Sequence, residues 1–460
     1  MKSSHPHAAQ HDRWRRFGAF AASLAERALR GASYNPLSER TIQNPYPVYA
    51  ALRRRSPVHR SSILGSWLIS RYDDVLAVAR DHARFSNDPR WRNATASVLP
   101  PAPDDYSILL VDPPEHTRLR KVAARAFTRP KLMALAPHIE ALAEEIVGRA
   151  VGRGHVEWMS EVAQPMAMRV MLRMLAIAEE EEALWHRWSA ERARLLEMIA
   201  TRAERKTAHI TGESITGYFR ERLAERACGQ RGDAVTALAH EAARGEIINP
   251  TEAADMLGVI MIAGNETTAN LIGNGLWALM RHPDQLERLR EEPERAREAI
   301  NEVLRYDSPV QTDFRIAKSE AEIGEETIRT GEGVILLTGS ANRDEAAFRE
   351  PDRLDIARKG PKHAAFGHSV HQCIGAELAR METSAVIAAA AARIERISLA
   401  GPPPRYRRST VVRGLERLEV RIEPRTRTSG GKSGNGGASA PGEPTAAREE
   451  VVNPREEDPS

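Results

Sequence analysis

Apolar residues at Leu132, Leu135, Ile139, Leu142 and Ile146 recur close to every 3.6 residues and predict a helix over 131–153. The charged stretch 183–226 is rich in helix-favouring residues and predicts more helix. Asn249-Pro250 has the form of an N-cap followed by proline at the first helical position. The helix it opens is expected to run to about Arg281, where His282-Pro283 stops it. Roughly thirty residues of helix would span about 45 Å, enough to cross the whole body. Strand signals are few and short: Ser66–Ser70, Val334–Thr338, Val411–Val412 and the alternating Leu418–Ile422. This is the pattern of a mainly α protein with small peripheral β-sheets.

The pattern fades at both ends. Trp14, Arg15, Arg16, Phe17, Phe20 and Leu24 make a basic-then-apolar segment, but Glu26 and Arg27 interrupt it before it reaches the apolar length of a signal peptide. Residues 1–31 therefore read as a flexible amphipathic extension, with weak attachment to a membrane surface as the alternative. Past Arg427 the chain turns to Gly, Ser, Glu, Asp and Pro, so 425–460 is expected to be a disordered tail and 32–424 the folded body. The longest apolar runs, around Met256–Gly264 and Ser384–Ala392, fall well short of the roughly 20 residues that a bilayer crossing needs. The cytoplasm is the expected compartment.

Charge and cysteine content narrow the function classes. Lys and Arg number 66 against 63 Asp and Glu, a net charge of +3, which gives no electrostatic footprint for nucleic acid. Only Cys228 and Cys373 occur, which excludes a disulfide scaffold, a four-cysteine zinc site and a cysteine-ligated iron–sulfur cluster.

Residues 363–376 carry the candidate chemistry: His-Ala-Ala-Phe-Gly-His-Ser-Val-His-Gln-Cys-Ile-Gly-Ala, followed by a helix-like stretch over Glu377–Ile394. Cys373 thus stands at a helix N-terminus, where free N–H groups and the helix dipole favour a thiolate. Gly375 leaves room for a flat ligand to approach the backbone. Three readings are open for this segment. It is a buried structural cysteine, a zinc site using His363, His368, His371 and Cys373, or a haem held by one axial thiolate.

The segment resembles the haem-binding loop of the cytochrome P450 monooxygenases, Phe-Gly-x-Gly-x-His-x-Cys-x-Gly, through Phe366, Gly367, His371, Cys373 and Gly375. Ser369 departs from it, standing where the pattern has glycine. Ala263-Gly264-Asn265-Glu266-Thr267-Thr268, inside the long predicted helix, is similar to the family's oxygen-activation motif. The plainer reading of Thr267 is a hydroxyl bonding the carbonyl four residues back. Glu302-Val-Leu-Arg305 resembles the Glu-x-x-Arg motif, and Arg353 matches the later arginine of that buried network. Asp112-Pro-Pro-Glu-His116-Thr-Arg-Leu-Arg120 has the look of the bacterial branch.

The resemblance spans roughly residues 35–424 and implies the single-domain cytochrome P450 fold with haem b as cofactor. It implies Cys373 as the axial iron ligand, and His116, Arg120, Arg315 and His371 as contacts of the haem propionates. Ala263 and Gly264 would leave space for O₂ beside the helix, and Glu266 and Thr267 would support proton delivery. The activity implied is insertion of one oxygen atom of O₂ into a lipophilic molecule such as a macrolide, steroid, terpenoid or fatty acid. Substrate contacts are expected around Asp88–Leu110, Leu195–Ile199, Ala263, Val310–Thr312 and Thr410–Val412. The tail lacks a nucleotide-binding pattern and two cysteines exclude a fused ferredoxin. Electrons are therefore expected from an external ferredoxin or flavodoxin and its reductase, serving a monomer. The alternatives are a peroxide-using haem-thiolate enzyme and a non-catalytic haem- or zinc-binding protein.

Overall fold

The longest helix, Pro250–Met280, has 31 residues and begins and ends where its sequence directs. The Asn249 side chain accepts from the N–H groups of Thr251 and Glu252, and the Glu252 carboxylate accepts from the Asn249 N–H, a reciprocal cap on two otherwise unpaired donors. Its flanks are almost wholly buried, with Leu257, Met261, Leu271, Ile272, Leu276 and Leu279 at most 2 % exposed. Helices Gln164–Met174, Arg202–Arg226 and Ala376–Arg393 pack against it, and Arg129–Arg153 packs on Ala376–Arg393.

This computed structural model describes residues 6–92, 107–197, 201–228 and 233–425. The predicted helix over 131–153 is Arg129–Arg153, closed by Gly154 at φ +70°. The helix-favouring stretch 183–226 is two helices, Glu182–Arg192 and Arg202–Arg226; a 3-10 turn over Ala193–Leu196 ends the first, and Thr201 caps the second. Propensity carried across the break because no glycine or proline marks it.

A five-stranded sheet runs in the order Val58–Ser61, Ser66–Ile69, Gly333–Leu336, Asp313–Ala317, Phe85–Ser86, with only the Ser66–Ile69 and Gly333–Leu336 pair parallel. A smaller sheet joins His155–Glu157, Glu419–Pro424 and Ile394–Leu399. Val412 forms only an isolated bridge, to Val310. The segment expected to be a flexible extension is helical over Pro6–Arg30. Its last turns are anchored by Glu26, 6 % exposed, which meets His59 at 3.1 Å and accepts from the N–H and hydroxyl of Ser62 at 2.6 Å. Its compact unit extends to Arg425. The predicted disordered tail, from 426 onward, lies outside the described residues. Among the described residues no helix is long and apolar enough to cross a membrane.

Candidate functional site

Cys373 ends a tight loop whose shape is set by its backbone. The Cys373 N–H donates to the Phe366 carbonyl at 2.8 Å and the Gln372 N–H to the Ser369 carbonyl at 3.1 Å. Gly367 sits at φ +67° and Ser369 at φ +62°, so the serine occupies the left-handed conformation that glycine takes without strain. The Phe366 ring carries the Arg380 guanidinium 4.6 Å from its centroid. Gly375 is the residue before helix Ala376–Arg393, and a Cβ there would meet only Phe127, at 3.7 Å. No protein neighbour requires the glycine.

Burial pushes the Cys373 thiol up, against the Gly375 N–H and the Arg120 and Arg380 guanidiniums, which pull it down. The helix terminus alone therefore does not produce the thiolate read from sequence; a metal cation would supply the missing positive charge. Cys373 nevertheless remains exposed.

Three side chains from two other segments gather beside this loop and its own His371. His116, 2 % exposed on helix Glu115–Ala123, lies with its ring 4.1 Å from that of His371. Arg120, one turn on, donates to the Gln372 carbonyl at 2.6 Å. Arg315, on strand Asp313–Ala317, is buried, pairs with Asp313 at 2.9 Å and adds positive charge near His371. Burial lowers His116 to about 4 and His371 to about 3, with neighbouring positive charge adding to both. Among the described residues, His116 Nδ1, His371 Nε2 and Arg315 Nη2 have no hydrogen-bond partner. Buried donors without acceptors are costly, and haem propionates are acceptors of the kind that guanidinium and imidazole N–H groups bind. The donor set fits haem.

Ala263 is exposed in the middle of the otherwise buried long helix, and Thr267, four residues on, shares its face. The Thr267 hydroxyl donates to the Ala263 carbonyl at 2.7 Å, the plainer of its two readings, which leaves its oxygen lone pairs as acceptors on that face. Gly264 is turned elsewhere. A Cβ on it would come 2.5 Å from the Met171 sulfur on Gln164–Met174, so the smallness assigned to O₂ from sequence serves helix packing. Burial raises the Glu266 carboxyl, while Arg407, donating to it at 3.0 Å, and Arg194 pull it down.

Glu302 and Arg305 form the expected buried network, with one correction. The two pair through two bonds of 2.8 Å, with side chains 3 % and 2 % exposed. The third residue is Arg358, whose Nε donates to Glu302 at 3.0 Å. The Arg353 side chain is 61 % exposed and faces Glu350 at 3.9 Å; only its carbonyl joins, accepting from Arg305 and Arg358. The two arginines stand five positions apart on an irregular segment, and no periodicity tells them apart. The zinc alternative lacks a site, because no three His, Cys, Asp or Glu side chains among the described residues gather to hold a metal. Within the expected substrate contacts, 93–106 and 198–199 lie outside the described residues. Val310–Thr312 and Thr410–Val412 are brought together, the Gln311 N–H donating to the Val411 carbonyl at 2.9 Å and the Thr312 hydroxyl to the Thr410 carbonyl at 3.2 Å.

The family model for cytochrome P450 matches residues 158–395. The chain is 36 % identical over 395 residues to the vitamin D(3) 25-hydroxylase of Pseudonocardia autotrophica, an alignment covering 84 % of this chain and 95 % of that one. It is 31 % identical over 393 residues to the 6-deoxyerythronolide B hydroxylase of Saccharopolyspora erythraea, covering 82 % and 96 %. Among solved structures it is similar to P450BioI in complex with a hexadec-9Z-enoic acid ligated acyl carrier protein, at TM-score 0.77 and 32 % identity over 84 % of this chain and 99 % of that one.

Proposed function

The chain belongs to the cytochrome P450 family, and from that premise we propose what each residue of the site does. It is a haem-dependent monooxygenase, an oxidoreductase with haem b held by a cysteine thiolate. When bound, the haem supplies activation of O₂ with two electrons and insertion of one oxygen atom into an organic substrate. Cys373 would hold the haem iron through its sulfur, and Phe366 and Gly375 shape the loop that presents it. His116, Arg120, Arg315 and His371 would hold the haem propionates. The observation that carries this reading is the convergence of unpaired His116, His371 and Arg315 nitrogens beside Cys373.

On the long helix, Ala263 leaves its face open to substrate and O₂. Thr267 holds a proton-relaying hydroxyl on that same face, and Glu266, whose carboxyl burial raises above its ordinary value, is the acid that supplies it. An acid–alcohol pair on this helix supports O₂ over peroxide as oxidant, because peroxide already carries its protons. The substrate is a lipophilic small molecule, a reading supported by relatives named for vitamin D(3) 25-hydroxylation and 6-deoxyerythronolide B hydroxylation. Electrons come from an external ferredoxin or flavodoxin with its reductase, and the enzyme works as a cytoplasmic monomer.

The test of the ligand is the spectrum of the carbon-monoxide-bound ferrous protein. Cys373→Ser is expected to lose the thiolate-type band and Cys228→Ser to keep it. A normal band in the Cys373 variant overturns the assignment. The test of the helix is coupling: Thr267→Ala binds substrate, read as a spin-state shift, but diverts reduced cofactor to peroxide, at the low end of the roughly 10²–10⁴-fold that positioned proton transfer contributes.

A further inference from the structure

A second buried acid stands near Glu266 and has no part in the roles above. Glu197 follows the turn Ala193–Leu196 and is 9 % exposed. It accepts from the Thr410 N–H at 3.3 Å and is hydrogen-bonded by the Ser409 side chain. Two residues before Ser409, Arg407 donates to Glu266 at 3.0 Å and to Asn270 at 2.6 Å. The turn 407–410 therefore grips one acid at each end. The turn itself is fixed. The Arg407 N–H bonds the Gly414 carbonyl at 2.9 Å, and a Cβ on Gly414 would collide with Asn270 of the long helix. One helix turn further, Asn274 donates to the Arg413 carbonyl at 3.0 Å.

Arg194 and Arg407 act on the two acids, and Arg205 donates to the Glu197 backbone carbonyl at 3.1 Å. Arg194 acts on both, and its side chain is 53 % exposed, so the cluster begins at the surface and ends on the helix that carries Thr267. Burial pushes Glu197 up to about 7, with the Glu266 charge adding to it and Arg194 opposing. A carboxyl poised there changes protonation near neutral pH, which suits repeated proton exchange.

We propose that Glu197 is the group through which Glu266 exchanges protons with solvent, with Arg407 as the residue that positions Glu266 for the exchange. The O–H bond of the Glu197 carboxyl breaks as one forms on the Glu266 carboxylate, and solvent at the Arg194 end returns a proton to Glu197. This rests on the reading of Glu266 as the acid that supplies Thr267.

The experiment compares Glu197→Gln, Glu266→Gln and the double variant of the haem-loaded enzyme. Product per reduced cofactor is measured across pH 6 to 8, beside the infrared band of protonated carboxyl groups. Glu197→Gln is expected to lower coupling about tenfold, one step removed from the roughly 10²–10⁴-fold of direct transfer. It should also erase the infrared component that titrates near neutral pH, with the substrate-induced spin shift retained and the melting temperature not lowered. In the Glu266→Gln background it should add nothing. Full coupling in Glu197→Gln while Glu266→Gln is impaired overturns the proposal, as does an equal further loss in the double variant. Full coupling in Glu266→Gln instead overturns the underlying reading. Ser409→Ala, which keeps the carboxyl but removes its hydrogen bond, is expected to shift the same infrared component, and an unmoved band counts against the proposal even if Glu197→Gln folds poorly.

Discussion

Glu302 and Arg315 are both deeply buried charges, yet the protein surrounds them in opposite ways. Around Glu302 every group is matched. Arg305 donates to both Glu302 oxygens and to the carbonyls of Asn342, Pro351 and Arg353, and Glu302 also accepts from Arg358 and the Asp355 N–H. Around Arg315 the matching stops short, with one guanidinium nitrogen and two imidazole nitrogens left over on the side of Cys373. A satisfied buried network holds structure together, whereas buried donors left open at one place mark where something else must bind. The two regions should therefore fail differently when altered.

The largest effect is expected in the matched region. Glu302→Ala or Arg305→Ala leaves an unpaired buried charge, a loss of about 3–5 kcal/mol out of a typical stability of roughly 5–15 kcal/mol. Little folded protein is expected from either, by yield and melting temperature. Arg358→Ala should cost less because Glu302 keeps Arg305, and Arg353→Ala should stay within about 0.5 kcal/mol as a surface change. If Arg353→Ala melts lower than Arg358→Ala, the side chain bonded to Glu302 has been misassigned.

In the open region the loss should fall on the cofactor instead of the fold. His116→Phe keeps the ring against His371 but removes both nitrogens, and Arg315→Gln removes the charge. A hydrogen bond to a charged group contributes about 1.5–3 kcal/mol, so each variant should lose haem to an acceptor protein roughly 10–100-fold faster. The apo proteins should melt close to wild type. Equal melting losses with and without haem would erase the distinction between the two regions.

Glu197 tests a third case, a buried acid that is partly matched. Its carboxyl, raised from the ordinary 4.5 to about 7, keeps its proton in the folded protein where the unfolded chain has already released it. Protonation therefore supports the fold fully below about 4.5, and that support is lost as pH rises through 7. Glutamine is neutral throughout, so the melting temperature of Glu197→Gln should rise relative to wild type between pH 5 and 8. A constant difference over that range would show that the carboxyl does not titrate there.

The sequence made the backbone of this arrangement legible and its tertiary closures illegible. The bounds of Pro250–Met280 are written in Asn249-Pro250 and His282-Pro283, because caps and proline act locally. Cys373, His116, Arg120, Arg315 and His371 stand out through motifs whose chemistry is carried by residue type, and the fold brings them together. Arg358 does not, because an arginine on an irregular segment gains its role only when the chain folds onto Glu302. Glu197 was hidden for the same reason, since its partners Ser409 and Thr410 are over 200 positions away. Gly264 was misread because a small residue near a motif says nothing about which neighbour needs the space, and here Met171 does. The N-terminal helix was missed because a single buried carboxylate, Glu26, anchors its end where an apolar stripe was sought.

The smallest effect concerns Ser369, where sequence and geometry disagree most locally. The loop requires φ +62° there, and a side chain at positive φ costs about 1–2 kcal/mol. Glycine would relieve that strain but would bring back roughly 0.5–1 kcal/mol of backbone entropy in the unfolded chain. The balance favours Ser369→Gly by about 0.5 kcal/mol, a rise of about 1 °C in a protein of this size. Ser369→Ala keeps the Cβ and drops the hydroxyl, so it should gain nothing. If alanine stabilises as much as glycine, the strain lies in the hydroxyl's surroundings and not in the backbone. If neither variant changes the melting temperature while both weaken haem retention, the serine belongs with the open donors around Cys373, and its cost in the fold is balanced by what it does for the bound cofactor.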